Sequence, residues 1–433
     1  MESGEAIVKS AKAVSNAEGD VAIPTPLGPV NVHCPYRRAT DLLQRITPGK
    51  MRIGFLIGAG CPLSIRVPDG EKTKALIPEI VGLTKLVKDH LDGDADLKEV
   101  AKTAWERVIA RGIPAPTVED VLSHVRTLKS LCGTGPIDGF AVESLSKLDA
   151  AICDRVRIIV SPILPTNETP YHRLASWIRA IPRERPVEIF TTNYDLSLEQ
   201  ALEEQGVPYF DGFVGSDSAF LDLDSMAEDD LPSRWARVWK IHGSINWWLT
   251  DKQKIRRSRD PKDGQQLLIY PSHLKYDESR QMPYYAMLDR LRVFLRSDQC
   301  VLITCGYSFG DEHINGYIGQ GLAGNPNAAC LGMIFGDREC APKGVKLAKK
   351  HPNLSLLAAD GGVIGTVDRD WDSSVKDTNP AFPLAVSKDM EDFRSKAPKE
   401  RCKWLLGDFA ALGEFLAYQL SNRDVEKGER SAP

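Results

Sequence analysis

Two short stretches carry side chains able to do chemistry, each at the end of an apolar run. The first is Thr191-Thr192-Asn193-Tyr194-Asp195 and the second is Lys240-Ile241-His242-Gly243-Ser244. An asparagine amide at a strand end both donates and accepts, so Asn193 can hold a water or a ribose hydroxyl. Asn193 and Asp195 are also residues favoured as caps of a following helix. Histidine titrates near neutrality and is the commonest general base, which marks His242 as a candidate for proton removal.

Two glycine-bearing turns accompany them. Arg52-Ile53-Gly54-Phe55-Leu56-Ile57 runs into Gly58-Ala59-Gly60, as a buried parallel strand does when it meets a tight turn. Glycine there allows φ > 0 and close approach of a ligand, and a helix following it would offer free N–H groups to a phosphate. An ordinary tight turn reads the same way, and Leu63 stands where a dinucleotide fingerprint has its third glycine. Gly306-Tyr307-Ser308-Phe309-Gly310-Asp311 follows the run Val301–Cys305, and a strand end with Gly and Ser suits a ribose or phosphate.

The elements that must position these turns alternate in type. Strand signals fall at Val187–Thr191, Val238–Ile241, Leu267–Tyr270, Val301–Cys305, Leu331–Phe335 and Leu354–Ala358, with helical spacing over Tyr284–Leu295 and Asp408–Leu420. This pattern predicts an α/β fold with a Rossmann-like parallel sheet and helices on both faces. Residues Cys61–Gly70 read as a loop and Ala75–Leu91 as a helix. Helices over Leu97–Arg111, Thr117–Leu131, Ile137–Val160 and Tyr171–Ala180 make a large helical insert at about 72–186, Thr117 and Asp120 forming a shortened capping box. A short amphipathic helix is expected at Tyr36–Thr47, and residues 1–50 form an extension whose first 25 residues read as a flexible arm or a segment ordered against a partner. The last dozen residues are polar and read as frayed.

Composition narrows the class. The 433 residues are 42% hydrophobic and 26% charged with a net charge of -4, which fits a globular protein with no general attraction to nucleic acid or anionic membranes. No run approaches the ~20 apolar residues of a membrane span, and Glu2 and Glu5 interrupt any signal-peptide pattern. Nine scattered cysteines without a Cys-x-x-Cys pair argue against a disulfide framework and point to a reducing cytoplasm. The basic run Lys252–Lys262 reads as a solvated hairpin or as a contact for an acidic partner.

Taken in order, Thr-x-Asn-Tyr-Asp, Ile-His-Gly-Ser and Gly-Tyr-Ser-x-x-Asp resemble the sirtuin-like family of NAD⁺-consuming proteins, and more closely its zinc-free branch in bacterial antiphage defence. The resemblance spans roughly Met51 to Leu420, making residues 51–433 an NAD-binding catalytic domain. It implies that Gly58, Ala59 and Gly60 bind the pyrophosphate and that Asp69 lies in the loop closing over ribose and nicotinamide. Pro62 and Arg66 replace that loop's Ser and Gly; Arg66 either reaches a phosphate or is solvated. The resemblance implies that Asn193 positions the attacking water and that Asp195, beside Thr192, contacts the nicotinamide amide. His242 alone of the eight histidines sits in a family motif, and the resemblance gives it the ribose hydroxyls and a proton. Gly306 and Ser308 would border the adenosine ribose, with Asp311 capping the next helix. Asp408 and Phe409 resemble the motif beside adenine, although Asp408 also reads as a plain N-cap.

Protein-deacylating sirtuins carry a four-cysteine zinc module after the His-Gly, whereas here no cysteine lies between His242 and Cys300. No zinc is therefore expected, and water is the expected acceptor. The resemblance implies an NAD⁺ glycohydrolase of abortive infection, with NAD⁺ as substrate, a homo-oligomer, and a separately encoded partner such as a HerA-type ring ATPase or an Argonaute-like protein. An NAD⁺ or ADP-ribose sensor without turnover and a zinc-free deacylase are the alternatives.

Overall fold

The computed structural model describes residues 32–47, 51–132, 135–250, 254–259, 266–269, 283–372, 374, 384–390 and 400–430. The extension before residue 32 and residues 252, 253 and 260–262 of the Lys252–Lys262 run lie outside these residues, while Ile255–Arg257 of that run is a strand of a second sheet. The central sheet has nine strands. From one edge they are Val367–Asp370, Gly361–Ile364, Leu354–Leu357, Ala328–Met333, Cys300–Cys305, Arg52–Ile57, Val187–Thr191, Ala236–Lys240 and Tyr209–Phe210. Pairing is parallel from Leu354–Leu357 to Tyr209–Phe210, and only the edge hairpin Gly361–Asp370 is antiparallel. The fold is α/β and Rossmann-like, as the alternation of elements requires.

The order of the strands matters for function. From the central strand Arg52–Ile57 the chain builds one side of the sheet, then crosses back to Cys300–Cys305 on the other side. These two neighbours lead their connections in opposite directions beyond their carboxyl ends, leaving a crevice at a topological switch point.

Period-two burial explains why the sheet is covered twice. Ile53, Phe55 and Ile57 join a core with Val301 and Ile303, under the helices Pro35–Ile46, Pro170–Ala180 and Phe409–Arg430. Leu56, Leu302 and Cys330 face the other way, into a core with Met287, Leu291 and Phe294 of the helix Tyr284–Leu295. Gly54 is small because Phe294 lies there: a Cβ would sit 2.6 Å from its ring. The closing helix runs on to Arg430, beyond the expected Leu420 and through residues read as frayed.

The insert has a core of its own. Val87, Leu91, Ala104, Val121, Val125, Leu145, Leu148 and Ile152 pack together from the helices Ile80–Asp92, Lys98–Ala110, Val118–Leu131 and Val142–Ile159. Ile245 and Trp248, of the strand Gly243–Leu249, complete that core. The capping box at Thr117 is present, with the Asp120 amide donating to Thr117 Oγ1 at 3.3 Å and the Thr117 amide donating to Asp120 Oδ2 at 2.6 Å.

Three expectations change. Cys61–Gly70 is not a plain loop: after a 3-10 turn at Pro62–Ser64 the chain forms a hairpin, Arg66–Asp69 with Lys72–Ala75, turning at Gly70-Glu71 with Gly70 at φ 62°. The next helix accordingly starts at Ile80, after Pro78, rather than at Ala75. The strand Gln266–Ile269 leaves the parallel sheet and pairs antiparallel with Gly243–Leu249, in a second, five-stranded sheet. Among the described residues no helix is long and apolar enough to cross a membrane.

His124 gives the insert a pH dependence. It is 4% exposed, and among the described residues neither ring nitrogen has a hydrogen-bond partner. Burial, reinforced by Arg111 and Arg107 and opposed by Asp138, lowers its pKa below the ordinary 6.5, so the fold favours the neutral ring. The unfolded chain then binds the extra proton, and stability falls as the pH drops below about 6.5. Replacing His124 by Leu should remove this term: urea midpoints of wild type and variant should diverge in the variant's favour from pH 7.5 to 5.5. An unchanged gap across that range would count against the assignment.

Candidate active site

The crevice is built first from backbone. The amide of Gly58 donates to Cys305 O at 2.9 Å, and that of Gly60 to Gly306 O at 2.9 Å. A Cβ on Gly58 would lie 2.3 Å from Gly306 O, and one on Gly306 would lie 2.5 Å from the Cys61 nitrogen. Gly306 also sits at φ 64°, where side chains are strained. The glycines at 58, 60 and 306 therefore allow two turns to interlock, whatever binds above them. Of the first turn only Ala59 lines the cleft. A 3-10 turn, not an α-helix, follows it, so the phosphate-binding helix terminus considered for this loop is absent.

Above the interlock lies a cleft of about 690 Å³, a volume ordinary for small-molecule sites. Thr192, Asn193, Asp195, His242, Gly306 and Ser308 all line it. Ile77, Ile80, Leu83, Glu119 and Val160, in or beside the insert's helices, form an opposing wall that the sequence did not reveal. Glu119 is tied to the strand-end motif, because Tyr194 Oη donates to its Oε1 at 3.2 Å.

Asn193 is held from two sides. Its amide N–H donates to Thr191 Oγ1 at 3.1 Å, and its Nδ2 donates to Gly58 O at 3.1 Å. Its Oδ1 is buried and makes no hydrogen bond of good geometry among the described residues. Burial pushes the nearby Tyr171 phenol well above its usual pKa; Asp195 and Cys61 push the same way and Asn193 opposes them. Asp195 Oδ1 accepts from the Ser197 amide at 2.9 Å, in the turn that leads into the helix Ser197–Glu204. Behind it, Lys240 Nζ donates to Asp195 O and pairs with Glu199 at 2.9 Å. Burial raises the Glu199 carboxyl above its ordinary range, against the pull of Lys240.

His242 stands where the chain leaves the sheet. Gly243, at φ 88°, turns the strand Ala236–Lys240 into Gly243–Leu249 and leaves the imidazole over the cleft. Its Nε2 lies 3.1 Å from Asp311 Oδ2. Sequence reasoning placed Asp311 only as a helix cap; a pairing across 69 residues has no local signal.

Residues 187–344 match the SIR2-like domain family. No curated protein matches the chain. The SIR2-like region contains Asn193, Asp195, His242, Gly306, Ser308 and Asp311 and points to NAD-related chemistry; the Gly58–Gly60 turn and the insert's helices lie outside it. Four other candidate residues fall away from the cleft lining. Asp69 is exposed on the hairpin and pairs with Lys74 at 3.1 Å, while Arg66 donates across the same hairpin to Thr73 O at 2.9 Å. Asp408 Oδ1 accepts from the Ala410 amide at 2.9 Å, the cap reading, and Phe409 is buried against Tyr171 with ring centroids 4.9 Å apart. Among the described residues no group of three or more His, Cys, Asp or Glu is placed to hold a metal.

The interlock makes a direct prediction. Gly58→Ala puts a methyl group into the Gly306 carbonyl, and overpacking of this kind costs about 1–3 kcal/mol. Denaturant unfolding should show the loss without any ligand present. A variant as stable as wild type would mean the turn relaxes freely and the glycine serves ligand approach instead.

Proposed function

We propose that this chain is an NAD⁺ glycohydrolase, releasing nicotinamide and ADP-ribose. The observation that carries the reading is that Asn193 and His242, from separate strand ends, line one cleft at the sheet's switch point within the SIR2-like region. The dinucleotide would cross the carboxyl edge of the sheet over Ala59, with a ribose beside Gly306 and Ser308 and the nicotinamide amide toward Asp195. The bond from C1′ of the nicotinamide ribose to the pyridinium nitrogen breaks, and its electron pair stays with the ring. Nicotinamide thus leaves neutral and needs no acid. The oxocarbenium-like sugar takes the oxygen of a water, whose proton passes to His242. Asn193, held by the Nδ2 donation to Gly58 O, lines the cleft where that water would be placed. With the resemblance to zinc-free defence proteins, the proposal extends to NAD⁺ depletion during abortive infection, by a homo-oligomer restrained and triggered through a partner such as a HerA-type ATPase or an Argonaute-like protein.

The test is nicotinamide release from NAD⁺ by the purified chain, alone and with a co-encoded partner. Asn193→Ala and His242→Ala should each slow release about 10²-fold or more while remaining folded. Acyl transfer to ADP-ribose would indicate the deacylase instead, and NAD⁺ binding without release under every condition a sensor.

A further inference from the structure

The two oxygens of Asp311 do different work. Oδ1 accepts the amides of His313 and Ile314, at 2.9 and 3.3 Å, and so caps the helix Glu312–Gly324. Oδ2 faces His242 Nε2 at 3.1 Å. The carboxylate has little freedom. Its side chain is 7% exposed, Tyr307 Oη donates to Asn315 Oδ1 at 2.9 Å and lies 3.2 Å from Asp311 O, and Asn315 Nδ2 donates to Phe309 O at 2.7 Å. The helix start is thereby fixed to the strand end that carries Gly306 and Ser308.

We propose that Asp311 is a positioning residue for His242: it holds the neutral imidazole with its proton on Nε2, which makes Nδ1 the nitrogen that takes the proton, and it then pairs with the imidazolium that results. An ionised carboxylate only accepts, so a neutral imidazole facing it must present N–H. This rests on the glycohydrolase reading for its catalytic consequence, but the tautomer itself does not. Glu119, Asp195, Glu312, His313 and Lys343 also line the cleft; Lys343 pairs with Glu312 at 2.7 Å, and among the described residues the Asp311 carboxylate lies at hydrogen-bond distance from the ring.

Asp311→Asn separates the two jobs, because asparagine caps a helix about as well as aspartate and carries no charge. Asp311→Ser, which also caps but is too short to reach the ring, is the second variant should the first fold poorly. Nicotinamide release should fall about 10²-fold or more in kcat with KM little changed. The acidic limb of the pH–rate profile should move to lower pH, since the imidazolium loses its counter-charge. Independently of turnover, ¹⁵N spectra of histidine-labelled protein, assigned with His242→Gln, should show Nε2–H for His242 in wild type and its loss in Asp311→Asn. A wild type that releases no nicotinamide yet shows this tautomer change would sink the glycohydrolase and keep the positioning role. Unchanged imidazole spectra in both variants, or kcat within about twofold of an active wild type, would reduce Asp311 to a cap.

Discussion

Two backbone turns meet with no side chain between them, and the site depends on that contact. The Gly58–Gly60 turn hydrogen-bonds to the carboxyl end of the neighbouring strand and to Gly306, at separations that exclude a Cβ at 58, 60 or 306. Parallel strands alone set the spacing of their ends only coarsely. Here the interlock sets the height of Ala59 relative to Ser308, and Gly58 O in turn fixes the amide of Asn193. A packing constraint is thus passed directly to a polar group.

Charge is buried on both sides of this arrangement. Below the cleft, Lys240 links Glu199 to the backbone of Asp195. At the opposite ends of the same strands, Arg52 pairs with Glu188, while Arg52, Arg237 and Arg290 all reach Asp229. Those contacts hold the Asp229 carboxyl well below its usual pKa. Buried ion pairs contribute little net stability, but removal of one partner strands the other. Their effect is to make the strand ends intolerant of displacement, a useful property where Asn193 and His242 must face one cavity.

The sequence made the strand ends legible and the space between them much less so. Continuous apolar runs ending in glycine, asparagine or histidine located the turns at 58, 193, 242 and 306, because a buried parallel strand and its exit have a local signature. Thr117 and Asp120 were readable for the same reason, their capping being completed within four residues. The hairpin after Pro62 was missed although Gly70 marked its turn, since its strands are exposed and show no alternation. The second sheet was missed because several of its strands are two or three residues long. The His242–Asp311 contact and the helical wall opposite Asn193 come from tertiary packing, which no local pattern encodes.

The insert's private core has a consequence for how such a cleft changes over time. One wall belongs to a strand-end framework in which most substitutions disturb glycine contacts or buried charge. The other belongs to a helical module whose apolar interior takes Ile245 and Trp248 of the Gly243–Leu249 strand and touches Tyr194 and Leu196 beside the Asn193 turn. Mutations in the module can accumulate, and even its helices can be exchanged, while the chemistry at Asn193 and His242 is kept. Selectivity and reactivity are therefore inherited on separate pieces of chain, and the molecule can evolve one at nearly constant value of the other.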